Sequence, residues 1–104
     1  MHYDWKSLVN ACECFYKKHA LLRMTERDVD FGDIERAVND PELIREYPDD
    51  TPLPSCLMLG HDKKGKPLHL IWAYDEESQA MHLITAYRPD SEKWTADFKE
   101  RLDR

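Results

Sequence analysis

The feature that most constrains this chain is a change of hydrophobic period at Asn39-Asp40-Pro41. Before it, apolar residues recur at helical spacing. After it, they alternate as in strands. Residues 4–14 predict an amphipathic helix capped by Asp4, with Trp5, Leu8, Val9, Cys12 and Phe15 along one side. Phe15 to Lys18 either close that helix or form a short extended link. Residues 19–27 predict a second helix that stops near Asp28. Its apolar side is Leu21, Leu22 and Met24, and His19, Arg23 and Arg27 fall four apart on another side. A third helix is predicted over 31–39. Asp30 is its cap and Asp33 completes an acidic capping box. Pro41 ends it, because the residue before proline avoids the helical region.

Beyond Pro41 the pattern predicts strands at 42–47, 55–60, 67–74 and 79–87. A proline-stiffened loop spans 48–54, a turn with Gly65 at positive φ follows the second strand, and Asp75 to Ser78 make a hairpin loop. In the third strand Leu68, Leu70, Trp72 and Tyr74 share a face, opposite His69, Ile71 and Ala73. Strict alternation in the fourth puts Met81, Leu83, Thr85 and Tyr87 opposite His82, Ile84, Ala86 and Arg88. Residues 91–102 predict a short C-terminal helix, with Ser91 as cap and Trp94 and Phe98 packing down. Helices first and strands afterwards make an α+β fold of about four antiparallel strands. A length of 104 residues fits a single domain, 1–104.

Composition limits the function classes. The net charge of −6 argues against a general nucleic-acid coat protein, while leaving room for a local basic groove. No apolar run is long enough to span a bilayer, and the first ten residues lack a signal-peptide core, so a cytoplasmic location and no membrane partner are expected. Three cysteines cannot form a complete disulfide set. Cys12 and Cys14, two apart on a predicted helix, point to different sides, and Cys56 reads as a small buried hydrophobe. The five histidines are scattered. His69 and His82 on adjacent strands are a conceivable metal pair with no further ligand nearby, so no metal and no cofactor are expected.

No P-loop, dinucleotide fingerprint, zinc-protease motif or nucleophile elbow is present. What remains is a cationic and imidazole set. It comprises His19, Arg23 and Arg27 on one helix, Tyr87 and Arg88 at the end of the last strand, and Lys63, Lys64 and Lys66 on a turn. Metal-independent RNA cleavage needs a base, fixed positive charge and an acid, which these residue types supply. The same stripe also reads as a solvated helix face paired with Glu26, Asp28 and Asp30. Tyr87 also reads as core, Arg88 as a cap for strand or helix ends, and His69 and His82 as satisfied sheet histidines.

Several segments together resemble the bacterial domain-of-unknown-function family 4258. They are His-Ala-x-x-Arg-Met-x-x-Arg at 19–27, Asp-Ile at 33–34, Tyr-Pro-Asp-Asp at 47–50, Gly-Lys-Pro-Leu-His at 65–69 and Thr-Ala-Tyr-Arg-Pro-Asp at 85–90, with Trp94 after them. The resemblance runs over about residues 15–98. It implies kinship with RelE/ParE and MqsR type toxins, which have a curved antiparallel sheet and cleave messenger RNA without metal. It also implies a YgiT-type zinc-finger antitoxin as partner. Carried over, the pattern points to His19, Arg23, Arg27, His69, Tyr87 and Arg88 as catalytic candidates. Of these, His19 would be base or acid, Arg23 and Arg27 would hold phosphate, and Tyr87 with Arg88 would serve the leaving group. His69 is a second candidate for the acid, and Lys64 and Lys66 are candidates for substrate contact. The rival expectation is a non-catalytic protein-binding module that docks a partner through the 42–47 edge and the terminal helix.

Overall fold

A computed structural model describes residues 3–102. In chain order these form α1 (Trp5–Ala11), β1 (Glu13–Tyr16), α2 (Lys18–Glu26), α3 (Phe31–Asn39), β2 (Glu42–Tyr47), β3 (Ser55–His61), β4 (Pro67–Asp75) and β5 (Ala80–Tyr87). The α+β class is as the sequence predicts, with five strands in place of about four. Their order is β1-β5-β4-β3-β2. Every neighbouring pair is antiparallel except β1 with β5, which is parallel.

The helices lie against one face of the sheet, where the core is made. Trp5 and Val9 of α1, Ala20 and Met24 of α2, and Ile34 and Ala37 of α3 pack with Met58, Leu68, Leu70, Trp72, Met81 and Leu83. Asp4 caps α1 by accepting the amide of Ser7, and the Asp30/Asp33 capping box at α3 is complete. α2 ends in a Schellman turn. The amide of Val29 reaches Met24 O at 2.8 Å and that of Asp28 reaches Thr25 O at 3.3 Å, with Asp28 left-handed at φ 57. α3 settles directly on β3, because Gly60 presents no side chain beneath Ala37.

Three expectations are corrected. The first helix stops at Ala11, and Glu13–Tyr16 form a strand instead. Pairing with β5 outweighs the weak helical pattern there, and it turns both Cys12 and Cys14 toward the core rather than to different sides. Residues 91–102 are not a helix. Asp90 O accepts the amides of Lys93 and Trp94, but Thr95 and Asp97 then bond each other, and Asp97 also takes the amide of Lys99. Such local side-chain bonds compete with helix hydrogen bonds. The segment instead folds back on itself through a bridge between Trp94 and Arg101. Third, β5 does not alternate strictly. Trp72 pairs with Leu83 and Ile71 with Thr85, so Ile84 is an extra residue, a β-bulge. Parity flips there. Met81, Leu83 and Ala86 are buried on the helix side, and Tyr87 comes opposite His69 on the far face.

Candidate functional site on the open sheet face

The face away from the helices is built from cross-strand rows. In one, Leu59, His69 and Tyr87 are partners; in the next, Arg45, Leu57, Ile71 and Thr85. The third runs Tyr47, Ser55, Ala73, His82 and Phe15. The segment 90–102 crosses the first row. Trp94 stands edge-on to His69 with centroids 4.4 Å apart, and Lys99 reaches Glu42 of β2 at 2.7 Å. The third row carries exposed Phe15 and Tyr47, and the unpaired bulge residue Ile84 is exposed beside it.

His69 is fully buried, and its tautomer follows from its partners. Nε2 lies 2.8 Å from Phe98 O, a carbonyl that only accepts, so Nε2 carries the hydrogen. Nδ1 is then an acceptor, and the Tyr87 hydroxyl, 3.0 Å away, donates to it. The neutral ring is consistent with its burial, which lowers its pKa below 6.5 despite an opposing push from the Phe98 carbonyl. Phe98 holds a left-handed backbone at φ 62, strained for a side chain of that size. The bond from His69 fixes its carbonyl there.

Tyr87 is the solvent-side end of this chain of hydrogen bonds. Burial and neighbouring Tyr47 push its pKa above 10, and the positive charges of Arg101 and Arg27 pull it back. Arg101 is placed by cation–π contact, its guanidinium carbon 5.7 Å from the Trp94 ring centroid. Arg27 is placed by the sheet. β1 pairs with residues 80–83 of β5, so among the described residues no strand lies beside the edge of β5 beyond Leu83. Arg27 reaches that edge from the end of α2, donating to Ala86 O at 2.8 Å and to Thr85 Oγ1 at 3.3 Å. The result is a phenol joined to a buried imidazole, with two guanidinium groups within electrostatic reach of it. Such an arrangement can bind an anion and relay a proton.

The structure therefore brings together Arg27, His69 and Tyr87. It does not bring the other sequence candidates to them. His19 is exposed in the first turn of α2, roughly 12 Å along the axis from Arg27 at 1.5 Å per residue. Arg23 bonds Glu26 at 2.9 Å, the solvated ion pair that the alternative reading of the stripe foresees. Arg88 falls on the helix side of the bulged strand. It bonds Asp62 at 2.6 Å and Asp28 O at 3.1 Å, tying the end of α2 to the β3–β4 turn. Asp62 is 3% exposed. Burial opposes its charge, but the amide of Lys66, Arg88 and the amide of Lys64 outweigh it and hold the carboxyl below its usual range. Lys64 and Lys66 line a cavity of mixed charge of about 360 Å³ beside Asp62, Asp30 and Arg88, away from Tyr87. His69 and His82 do not meet, since one faces Tyr87 and the other stacks on Phe15. Among the described residues, no group of three or more His, Cys, Asp or Glu is placed to hold a metal ion. No helix among them is long and apolar enough to cross a membrane.

Sequence reasoning missed Tyr47, Thr85, Trp94 and Arg101 as parts of this site. Tyr47, Thr85 and Trp94 lie within or beside the segments that carry the family resemblance, which was the available signal. Arg101 had none, because its place depends on a fold-back that replaces the expected helix.

No curated protein and no solved structure matches the chain. A family described as Domain of unknown function (DUF4258) matches residues 16–88, from the last residue of β1 to Arg88. With most of its length inside that match, including Arg27, His69 and Tyr87, this chain belongs to the DUF4258 family.

Proposed function

We propose that this domain is a metal-independent endoribonuclease of the toxin type, acting on messenger RNA from its open sheet face. The observation that carries this reading is the Tyr87–His69–Phe98 hydrogen-bond chain, flanked by Arg27 and Arg101. In the proposed step, a 2′-hydroxyl attacks the adjacent phosphorus. Its proton passes to the Tyr87 oxygen as the Tyr87 proton passes to Nδ1 of His69. The Phe98 carbonyl, accepting from Nε2, steadies the imidazolium so formed. Arg27 and Arg101 hold the equatorial phosphate oxygens, where charge grows. The bond to the 5′-oxygen breaks, that oxygen takes a proton from water, and the hydroxide left takes the relayed proton back from His69 through Tyr87. The products are a 2′,3′-cyclic phosphate and a 5′-hydroxyl. His69, being buried, acts only through Tyr87, a different role from the direct acid expected of it. The net charge of −6 does not oppose the reading, because the local field on this face is set by the guanidinium groups. A YgiT-type zinc-finger protein is the proposed antitoxin, and covering this face is how it would act.

The test is RNA cleavage and growth arrest on induced expression, comparing the natural chain with Arg27→Gln and Arg23→Ala. Glutamine keeps the stem of the side chain but removes the charge and the terminal nitrogen that donates to Ala86 O. Arg27→Gln should lose cleavage by about 10²–10³-fold, the scale for one transition-state donor, while Arg23→Ala stays near the natural rate. An inactive natural chain, or an Arg27→Gln variant as fast as it, rejects the proposal. The rival reading, a protein-binding module, is favoured by the exposed Leu21, Leu22 and Phe31 on the outer helices. It gains if cleavage is absent.

A further inference from the structure

We propose that the cavity beneath the 48–54 loop is a guanine-binding site that selects the RNA base next to the cleaved phosphate, an inference resting on the ribonuclease reading. It is an open groove with about 520 Å³ of accessible space, a volume within the range of small-ligand sites, lined by Tyr47, Pro48, Asp49, Asp50, Ser55 and Ile71. A recess of about 200 Å³ shares Asp50, Ser55 and Ile71 with it and adds Lys17 and Ile84. Its position ties it to the phosphate site. Ile71 is the cross-strand partner of Thr85, whose hydroxyl accepts from Arg27. Directly paired strand residues stand about 5 Å apart, so a base over Ile71 belongs to a nucleotide with its phosphate at Arg27.

The lining decides which base. Tyr47 gives an aromatic wall and Ile71 an apolar floor, which suits a flat ring and is how unpaired RNA bases are held. The polar edge is made of acceptors. Asp50 Oδ2 accepts the Ser55 hydroxyl at 2.7 Å, and Oδ1 accepts the amide of Thr51 at 3.0 Å. A carboxylate offers about four lone-pair sites, so each oxygen keeps one, and the two internal bonds fix its plane. Guanine presents two adjacent donors, N1–H and the N2 amino group, that match such a pair. Its O6 accepts, and Lys17 in the adjoining recess is a donor. Adenine and cytosine offer one amino donor beside a ring acceptor, and uracil one N–H between two carbonyls. Each of these would set an acceptor against the carboxylate, and the like-signed lone pairs disfavour it relative to guanine.

The experiment is calorimetric titration of the full chain with the 3′-monophosphates of guanosine, adenosine, cytidine and uridine, and with inorganic phosphate. The guanosine nucleotide should bind at least about tenfold more tightly than the others, as for one good bidentate pair. Asp50→Asn should abolish that preference and leave phosphate binding unchanged. Arg27→Gln should weaken phosphate and all four nucleotides alike. If Asp50→Asn fails to fold, Tyr47→Ala, at a residue already 36% exposed, should weaken all four nucleotides more than it weakens phosphate. Equal binding of the four, or a preference that survives Asp50→Asn, overturns the inference. Cleavage that depends on Arg27 without base preference removes the guanine site and keeps the ribonuclease. A guanine preference lost in Asp50→Asn, in a chain that cleaves nothing, keeps the site and removes the ribonuclease.

Discussion

Replacing Tyr87 by Phe removes one oxygen and nothing else. The ring still packs edge-on against His69, centroids 5.1 Å apart, so no cavity opens. What changes is that Nδ1 of a fully buried imidazole loses its donor. The ring cannot adapt by shifting its hydrogen, because Nε2 must still donate to Phe98 O. An unsatisfied buried acceptor costs about 1–3 kcal/mol. At roughly 4–8 °C per kcal/mol for a domain of this size, the melting temperature should fall by about 4–24 °C. Cleavage should fall further than stability alone explains, by about 10²–10⁴-fold, because the proton relay is cut. Thermal unfolding by circular dichroism and cleavage of end-labelled RNA well below the melting point separate the two effects. A Tyr87→Phe protein that melts within a degree or two of the parent and cleaves equally well would refute both the hydrogen-bond chain and its role.

Two further outcomes follow from the fold. His69 is held below its ordinary pKa of 6.5, so unfolding takes up a proton just under that value. Its contribution to stability should be fully present above about pH 6.5 and decline as the pH falls toward the depressed native value. Urea unfolding between pH 7.5 and 5 should show that slope, and His69→Asn should flatten it; a slope unchanged in the variant would contradict the assignment. Gly60→Ala should cost about 1–3 kcal/mol or more, because the new Cβ would lie 2.5 Å from Ala37 O and 2.8 Å from Ala37 Cα, both backbone. Gly65→Ala, with no atom within 4 Å and only its φ of +80 against it, should cost about 1–2 kcal/mol, and calorimetric melting that reversed this order would be inconsistent with α3 resting on β3.

The parts of this fold that the sequence made legible are those set by local rules. The α3 bounds followed from a capping box at one end and a proline at the other, and β2 and β4 from alternation bounded by prolines and turn residues. The parts it hid are decided by partners far along the chain. Glu13–Tyr16 are too short to announce a strand, and only the parallel edge of β5 makes them one. The bulge at Ile84 leaves no mark in composition, yet it reverses the sides of Tyr87 and Arg88. For the site, residue types were readable and directions were not. The stripe of His19, Arg23 and Arg27 was visible, but which of the three reached the sheet depended on where β1 stops and leaves the edge of β5 to Arg27.

The way β1 is held bears on when this domain can act. Among the described residues its strand neighbour is β5, which is synthesised after the other four strands of the sheet, and His69 needs the Phe98 carbonyl from later still. A growing chain that has already made α2 and α3 therefore has no relay, no Arg101 beside Tyr87 and no edge for Arg27 to grip. On the ribonuclease reading the half-made product would be inert, and a chain released early would lack the parts from which the face is assembled.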